Sequence, residues 1–323
     1  MPGEPSRLRG LAAALALAAC AAAPASAETV LRVMTFNTWG AGANAGKPVD
    51  ETAAVIRAAG ADIVGIQETR QEALDCSEET CPPASASIAA KLAAALGFHY
   101  YDQSISNDAL WANAILSRYP IGAATPNDLG VAIDVDGRRV YAFNIHLTDY
   151  PYQPYQLAGI PYGSAPFLRT GADAASAAAT ARGPGIALLV EDLKAADGAD
   201  AAFVFGDFNE PSHRDWTARA AAAGRNPVAV DFPSARAVEA RGFVDAYRAT
   251  HPDEVANAGH TWEAIARPAG FAVRHDRIDY VFARGNGLAV EQAQIVGEKS
   301  PEADVVVAPW PSDHRAVVAT VRF

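Results

Sequence analysis

Residues 30–67 run VLRVMTFNTWGAGANAGKPVDETAAVIRAAGADIVGIQ, and the hydrophobic period changes twice along them. Val30–Asn37 reads as a strand, with Val30, Arg32 and Met34 on one face and Leu31, Val33 and Thr35 on the other. From Pro48 to Ala59 the apolar residues Val49, Ala53, Ile56 and Ala59 recur at helical spacing, and Gly60 stops the helix. Asp62–Gln67 (DIVGIQ) is then nearly all apolar, as expected of a strand covered on both faces. Strand, helix and buried strand in succession predict an α/β architecture.

The alternation continues outward. A helix is expected over Ser85–Leu96, ended by Gly97, and strands over Ala114–Leu116, Leu129–Ile133, Arg139–His146 and Ala202–Phe205. Gly183–Lys194 reads as the helix that carries the chain across to Phe203. Further strands are expected at Ile278–Ala283, Ala289–Val296 and Ala316–Phe323, with Gly285-Asn286-Gly287 as a turn. No internal repeat or low-complexity linker divides the chain. Residues 28–323 therefore read as one α/β domain of two layered sheets with flanking helices. Asp149–Thr170, dense in Tyr, Pro and Gly, is a long structured loop, and loops of that length commonly carry function.

Composition bounds the function. The 323 residues are 50% apolar and 20% charged, enough to bury a large core. There are 26 Lys and Arg against 37 Asp and Glu, a net charge of −11, with no Lys/Arg run. That argues against a protein that grips long polyanions by counterion release. Residues 1–27 combine Arg7 and Arg9, an apolar run Leu11–Ala23, and Ala25-Ser26-Ala27. This pattern is a signal peptide cleaved after Ala27, giving a secreted or periplasmic chain from Glu28. Leu17-Ala18-Ala19-Cys20 supplies the alternative, a lipoprotein anchored at Cys20. The apolar run is shorter than the roughly 20 residues a membrane span needs, so no transmembrane segment is expected in the mature chain. Cys76 and Cys81 are expected to form a disulfide in an oxidising compartment, since no second Cys or His pair stands nearby at zinc spacing.

The chemistry-bearing residues terminate strand-like runs. Asn37 follows VMTF, Glu68 follows IVGIQ, His146 follows FNI, and Asp207 and Asn209 follow FVFG. Asp279 sits in RIDYVF, and Ser312-Asp313-His314 precedes the last strand. One such residue is usually a cap; six are a set. Hydrolysis of a phosphoester needs charge neutralised on phosphoryl oxygens, a hydroxide generated near neutral pH and a stabilised leaving oxygen. Glu68 and Asp313 suit a hard divalent ion such as Mg²⁺. Asp207 and Asn209, at i and i+2 in extended chain, point to one side. One can take a proton from water while the other donates to a phosphate oxygen. His314 can carry positive charge toward an oxyanion, with Asp279 as its orienting carboxylate.

These strings resemble the endonuclease/exonuclease/phosphatase superfamily of metal-dependent phosphoesterases. They are Met34-Thr35-Phe36-Asn37, Ile66-Gln67-Glu68-Thr69, Asn144-Ile145-His146-Leu147, Gly206-Asp207-Phe208-Asn209, Arg277-Ile278-Asp279-Tyr280 and Ser312-Asp313-His314. The resemblance implies a four-layer α/β/β/α sandwich, two mixed β-sheets packed face to face with helices outside. It implies Glu68 as principal metal ligand with Asn37 and Asp313 beside it, for Mg²⁺ with Mn²⁺ or Ca²⁺ as substitutes. It also implies Asp207 as the residue that positions or activates water, Asn209 as phosphate donor, and His314 on the phosphoryl oxygen with Asp279 behind it. His146 resembles a second histidine that contacts phosphate or assists the leaving group.

The expected function is water attack in line on phosphorus by a monomeric hydrolase. Without residues 1–27, which include Glu4, Arg7 and Arg9, the charge is −12, favouring a small phosphoester or lipid headgroup over long nucleic acid. The alternatives are an extracellular endonuclease acting on DNA or RNA, and a catalytically silent binding module of the same fold. Tyr152 and Tyr155 are candidate substrate contacts, as are His213 and Arg214 after Asn209; packing and capping are the competing readings of these four. Mass spectrometry of the exported protein should show a chain beginning at Glu28. A lipid-modified chain beginning at Cys20 would replace that reading with the anchored one.

Overall fold

The computed structural model describes Met1, Gly3 and residues 28–71, 86–103, 112–265 and 274–323. The expected signal segment with Cys20, and the expected Cys76–Cys81 disulfide, lie outside the described residues.

In chain order the strands are Val30–Asn37 (β1), Ile63–Gln67 (β2), His99–Asp102 (β3), Ala114–Ser117 (β4), Ile121–Ala124 (β5), Gly130–Val135 (β6) and Arg138–His146 (β7). Ala201–Asp207 (β8), Val244–Asp245 (β9), Asp279–Gly285 (β10), Ala289–Gly297 (β11), Val305–Val306 (β12) and Ala316–Arg322 (β13) follow. The helices are Val49–Ala59 (α1), Ala89–Leu96 (α2), Gln153–Ala158 (α3), Gly171–Asp192 (α4), Ala218–Ala222 (α5), Pro233–Glu239 (α6) and Ala246–Thr250 (α7). Among the described residues, one sheet has the order β12-β11-β13-β1-β2-β4-β3 and the other β5-β6-β7-β8-β10-β9. Both are mixed. β1 runs parallel to β2 and antiparallel to β13, and β7 runs parallel to β8, which is antiparallel to β10.

Side-chain period builds the layers. On β1, Leu31 and Val33 face the second sheet and meet Val140, Phe203, Phe205 and Val281 there. The alternate residues Met34 and Phe36 face the other way, onto Ile56 of α1 and Leu92 of α2. This is the face assignment read from the sequence. The outer side of the second sheet, with Phe143, Val204 and Tyr280, is covered by Ile186 and Leu189 of α4 and Val238 of α6. Two sheets with helices on both outer faces result, as expected.

Boundaries moved where packing overrode local signals. The helix expected over Gly183–Lys194 begins twelve residues earlier, at Gly171, and ends at Asp192. Thr170 caps it by accepting the Asp173 N–H at 3.1 Å, and the Ala-rich first half has high helix propensity. Gly183-Pro184-Gly185, which reads as a breaker, lies inside it. A Cβ on Gly185 would stand 2.8 Å from Leu147, so the glycine lets α4 settle against the end of β7. The short strands β3, β5, β9 and β12 and helices α3, α5, α6 and α7 are not expected from the sequence, being too short to show a period, and α3 falls inside the span Asp149–Thr170 expected as a loop. No helix among the described residues is long and apolar enough to cross a membrane.

The two sheets approach closely at Gly65 on β2. A Cβ there would lie 2.4 Å from Phe205 Cβ on β8 and 2.8 Å from Asn144 Oδ1 on β7. Gly65→Ala should therefore force the sheets apart and lower stability by about 1–3 kcal/mol, read as a lower denaturant midpoint. An unchanged midpoint would show that the sheets tolerate the extra methyl.

Candidate active site

Strand ends from both sheets meet at one edge of the sandwich. β1 ends at Asn37, and Glu68 directly follows β2. His146 ends β7, Asp207 ends β8, and Asp279 begins the antiparallel β10, in register opposite Asp207. His146 is the register partner of Asp207 on its other side. Asp207 is thus flanked by His146 and Asp279 at one strand spacing each, about 4.8 Å. His314 arrives just ahead of β13. Ser312 holds that entry by donating to the Asn37 carbonyl at 2.7 Å and accepting the His314 N–H at 3.1 Å.

The side chains converge on Asp207, which is 1% exposed. Asn37 Nδ2 donates to Asp207 Oδ2 at 3.0 Å and to Glu68 Oε1 at 2.8 Å, joining the two sheets. Its Oδ1 accepts the Trp39 N–H at 3.1 Å, so Asn37 stands here as a bridging donor between carboxylates. Asp207 Oδ1 accepts the Asn209 N–H at 2.8 Å, and Asn209 Nδ2 donates to the Leu147 carbonyl at 2.9 Å. His146 Nε2 and His314 Nε2 each lie 3.6 Å from Asp207 Oδ2. His314 Nδ1 is 2.9 Å from Asp279 Oδ2. Two site residues carry backbone strain: Glu68 (φ 53°) and Asn209 (φ 46°) occupy the left-handed region, at a cost on the order of 1–3 kcal/mol each. Thr38 Oγ1 and the Gly40 N–H both bond the Glu68 carbonyl and hold that turn.

The surroundings shift the two histidine pKa values in opposite directions. Burial disfavours the imidazolium at His146 and outweighs the pull of Asp207, so its pKa falls below the usual histidine value. Its Nε2 lies 3.2 Å from Asn209 Nδ2, as for an amide donating into a neutral ring. At His314 burial also opposes charge, but Asp279 and Asp207 overcome it and hold the pKa well above the usual value. Burial and Asp207 push Asp279 up, against His314, to about 6. Thr261 Oγ1 orients Asp279 by accepting the N–H groups of Ile278 and Asp279 at 3.0 and 3.2 Å.

A divalent cation fits this donor set. Glu68, His146 and Asp207 place ligand atoms within 4.8 Å of one another, and so do Asp207, Asp279 and His314. Asp279 Oδ1 is buried with no hydrogen-bond partner, and buried carboxylates outnumber the single favoured imidazolium. Glu68 stands on this cluster, and Asp313 is the neighbour of His314 in the same segment, half-buried.

Three of the four candidate substrate contacts are committed elsewhere. Tyr152, 4% exposed, turns inward at the start of α3 and donates its hydroxyl to Asp276 at 2.9 Å. His213 Nε2 lies 3.3 Å from Glu239 on α6, and Arg214 forks onto the same carboxylate at 2.5 and 3.1 Å. Glu239 is held down to about 2 because those hydrogen bonds exceed its burial penalty. Tyr155 is half-buried and packs edge-on with Tyr152 and Tyr162 and at 5.9 Å from Trp262. Trp262 in turn lies 6.4 Å from the His314 ring, so an aromatic wall does reach the cluster. The supporting groups Thr38, Gln67, Asn144 and Thr261 received no role from sequence. Gln67 and Asn144 stand inside quoted motifs; their polarity amid apolar strand residues was the signal.

Two mixed sheets whose converging ends carry carboxylates, amides and histidines around a cation-sized gap are the architecture of a metal-dependent phosphoesterase. The chain belongs to the endonuclease/exonuclease/phosphatase family, whose pattern matches residues 34–314. A Caenorhabditis elegans protein of uncharacterised function is 26% identical, the match covering 92% of this chain and 93% of that one. The fold resembles zebrafish TDP2 in complex with a single-strand DNA product (TM-score 0.52, 14% identity, covering 91% of this chain and 99% of that one). It also resembles a Neisseria 3′ phosphatase bound to a product DNA hairpin (0.52, 18%, 90% and 98%). A Leptotrichia buccalis protein of the same family gives 0.50 at 15% identity, over 91% of this chain and all of that one.

The His314 ring, followed by NMR in EDTA, should titrate well above free histidine. Asp279→Asn removes the contacting negative charge, and the His314 pKa should fall by about one to two pH units. An unmoved titration would assign the raised pKa to another group.

Proposed function

We propose that the protein is an exported, Mg²⁺-dependent hydrolase of small phosphoesters. The observation that carries the reading is the convergence of His146 and His314 on Asp207, with Asn37 tying it to Glu68. Glu68, Asp207 and Asp313 would hold the ion, which when bound screens phosphoryl oxygens and stabilises the leaving oxygen. Asp207 accepts the proton of the attacking water. His314 keeps a proton on Nε2 and presents positive charge to a phosphoryl oxygen, while Asp279 holds the proton on Nδ1 and fixes the ring. Neutral His146 and the Asn209 amide orient the remaining oxygens. Export rests on the Arg7–Ala27 pattern.

The small-substrate reading is supported by charge. The chain carries −11, and the arginines around the site close on carboxylates: Arg315 on Glu298, and Arg277 on Asp215 and Asp245. A second reading, action on a nucleic-acid end, is favoured by the DNA products bound to the zebrafish and Neisseria proteins. A panel of aryl phosphomonoesters and bis-phosphodiesters, inositol phosphates, sphingomyelin, plasmid DNA and RNA separates the two. EDTA should abolish turnover and Mg²⁺ restore it; turnover indifferent to metal would overturn the mechanism. Glu68→Ala, Asp207→Ala and His314→Ala should each lower kcat by about 10²–10⁴ with the circular dichroism unchanged. A variant with wild-type kcat would lose its assigned role.

A further inference from the structure

The segment Thr261–Ala264 has two sides. On one it bonds to Asp313 and Arg315, beside His314; on the other, Thr261 and Trp262 bond to Asp276. On the Asp276 side lies a cavity of about 370 Å³, lined in part by Trp216, Arg225, Asn226, His260, Arg274 and His275. Two strand spacings separate Asp276 from His314, on the order of 10 Å. The loop after β7 roofs both places: Tyr155 packs on Trp262, and Ala158 and Ile160 line the cavity.

The cavity wall is electropositive in an acidic protein. Its carboxylates are already engaged. Asp215 takes Arg248 and Arg277, Glu254 takes Arg219 and Thr217, and Asp276 takes the Tyr152 hydroxyl, the Trp216 indole N–H and Arg274. Arg225 has no carboxylate within ion-pair distance among the described residues; its one side-chain hydrogen bond goes to the Val255 carbonyl. Arg274 lies flat over Trp216, 4.4 Å from its ring, and donates to the Arg225 carbonyl and to Asn226, which fixes the rim. The His260 and His275 rings stack at 5.9 Å. The His260 pKa is pushed down to about 4 by burial, then by His275, Arg315, Arg225 and Arg274, a ring surrounded by positive charge.

We infer that this cavity binds a second phosphate-type anionic group of the substrate, with Arg225, Arg274 and the His260–His275 pair as its wall. The word substrate rests on the phosphoesterase reading above; the anion rests on the cavity alone. An arginine fork with a free edge and imidazole N–H groups beside it suit a phosphate, and the spacing suits a small molecule bearing two phosphates.

The test has two arms on the full chain. In EDTA, titration with inorganic pyrophosphate should shift the His260 and His275 ring resonances, and Arg225→Glu should weaken that binding at least about fivefold. Unmoved rings at millimolar pyrophosphate, or a titration indifferent to Arg225→Glu, would overturn the site. With Mg²⁺, an aryl phosphomonoester is compared with the same ester carrying a second phosphate about 10 Å away. Arg225→Glu should raise KM for the doubly phosphorylated ester at least about fivefold, with kcat and the simple ester unchanged. Pyrophosphate binding without that KM response would make the anion a free effector and overturn its assignment to the substrate. Absence of turnover on every ester would remove the phosphoesterase reading while the pyrophosphate arm still reports on the cavity.

Discussion

Amide side chains cross between the two sheets at the functional edge, and the site depends on them. Asn37 on β1 reaches Asp207 on β8, and Gln67 on β2 donates to Asn144 on β7 at 2.6 Å. Asn144 then donates to the Ile66 and Ala114 carbonyls and to Gln103. All these groups are buried, so each needs its protein partner to offset the water it has lost. A hydrophobic interface alone would let the sheets slide; fixed donor–acceptor pairs do not. Gly65 supplies the missing volume that allows the approach.

With the edges locked, electrostatics follows from position. The two histidines lie at the same distance from Asp207 Oδ2, yet they favour opposite charge states. The difference is Asp279, which contacts His314 and is itself aligned by Thr261. Asp279 and Asp207 together outweigh burial at His314 and favour its cation, whereas at His146 burial outweighs the pull of Asp207. Left-handed backbone at Glu68 and Asn209 is the conformational cost of aiming side chains from strand ends into one gap.

Much of this was legible beforehand. The alternation on β1 assigned Leu31 and Val33 to one core and Met34 to the other, as found. Asn37, Glu68, His146, Asp207, Asn209, Asp279 and His314 were read as strand-end groups, and the fold collects them at one edge. What failed to show was either short or silent. Strands of two to four residues show no period, and Gly183-Pro184-Gly185, where the expected helix starts, lies inside α4 with Gly185 settled against Leu147. Tyr152, His213 and Arg214 were drawn toward substrate by proximity in sequence to His146 and Asn209. Their partners Asp276 and Glu239 come from distant segments, and a buried carboxylate takes a nearby donor in preference to solvent.

Local periodicity and the identity of residues after each apolar run are properties of the chain, and they sufficed for the longer strands, the layers and the candidate groups that the fold brings to one edge. Which of those groups touch is a matter of pairing across long separations. Asn37 and Asp207 are 170 residues apart, and Gln67 and Asn144 are 77 apart. No window of sequence contains both members, so protonation states, the aromatic wall at Trp262 and the arginine-lined cavity behind it exist only once the two sheets have closed.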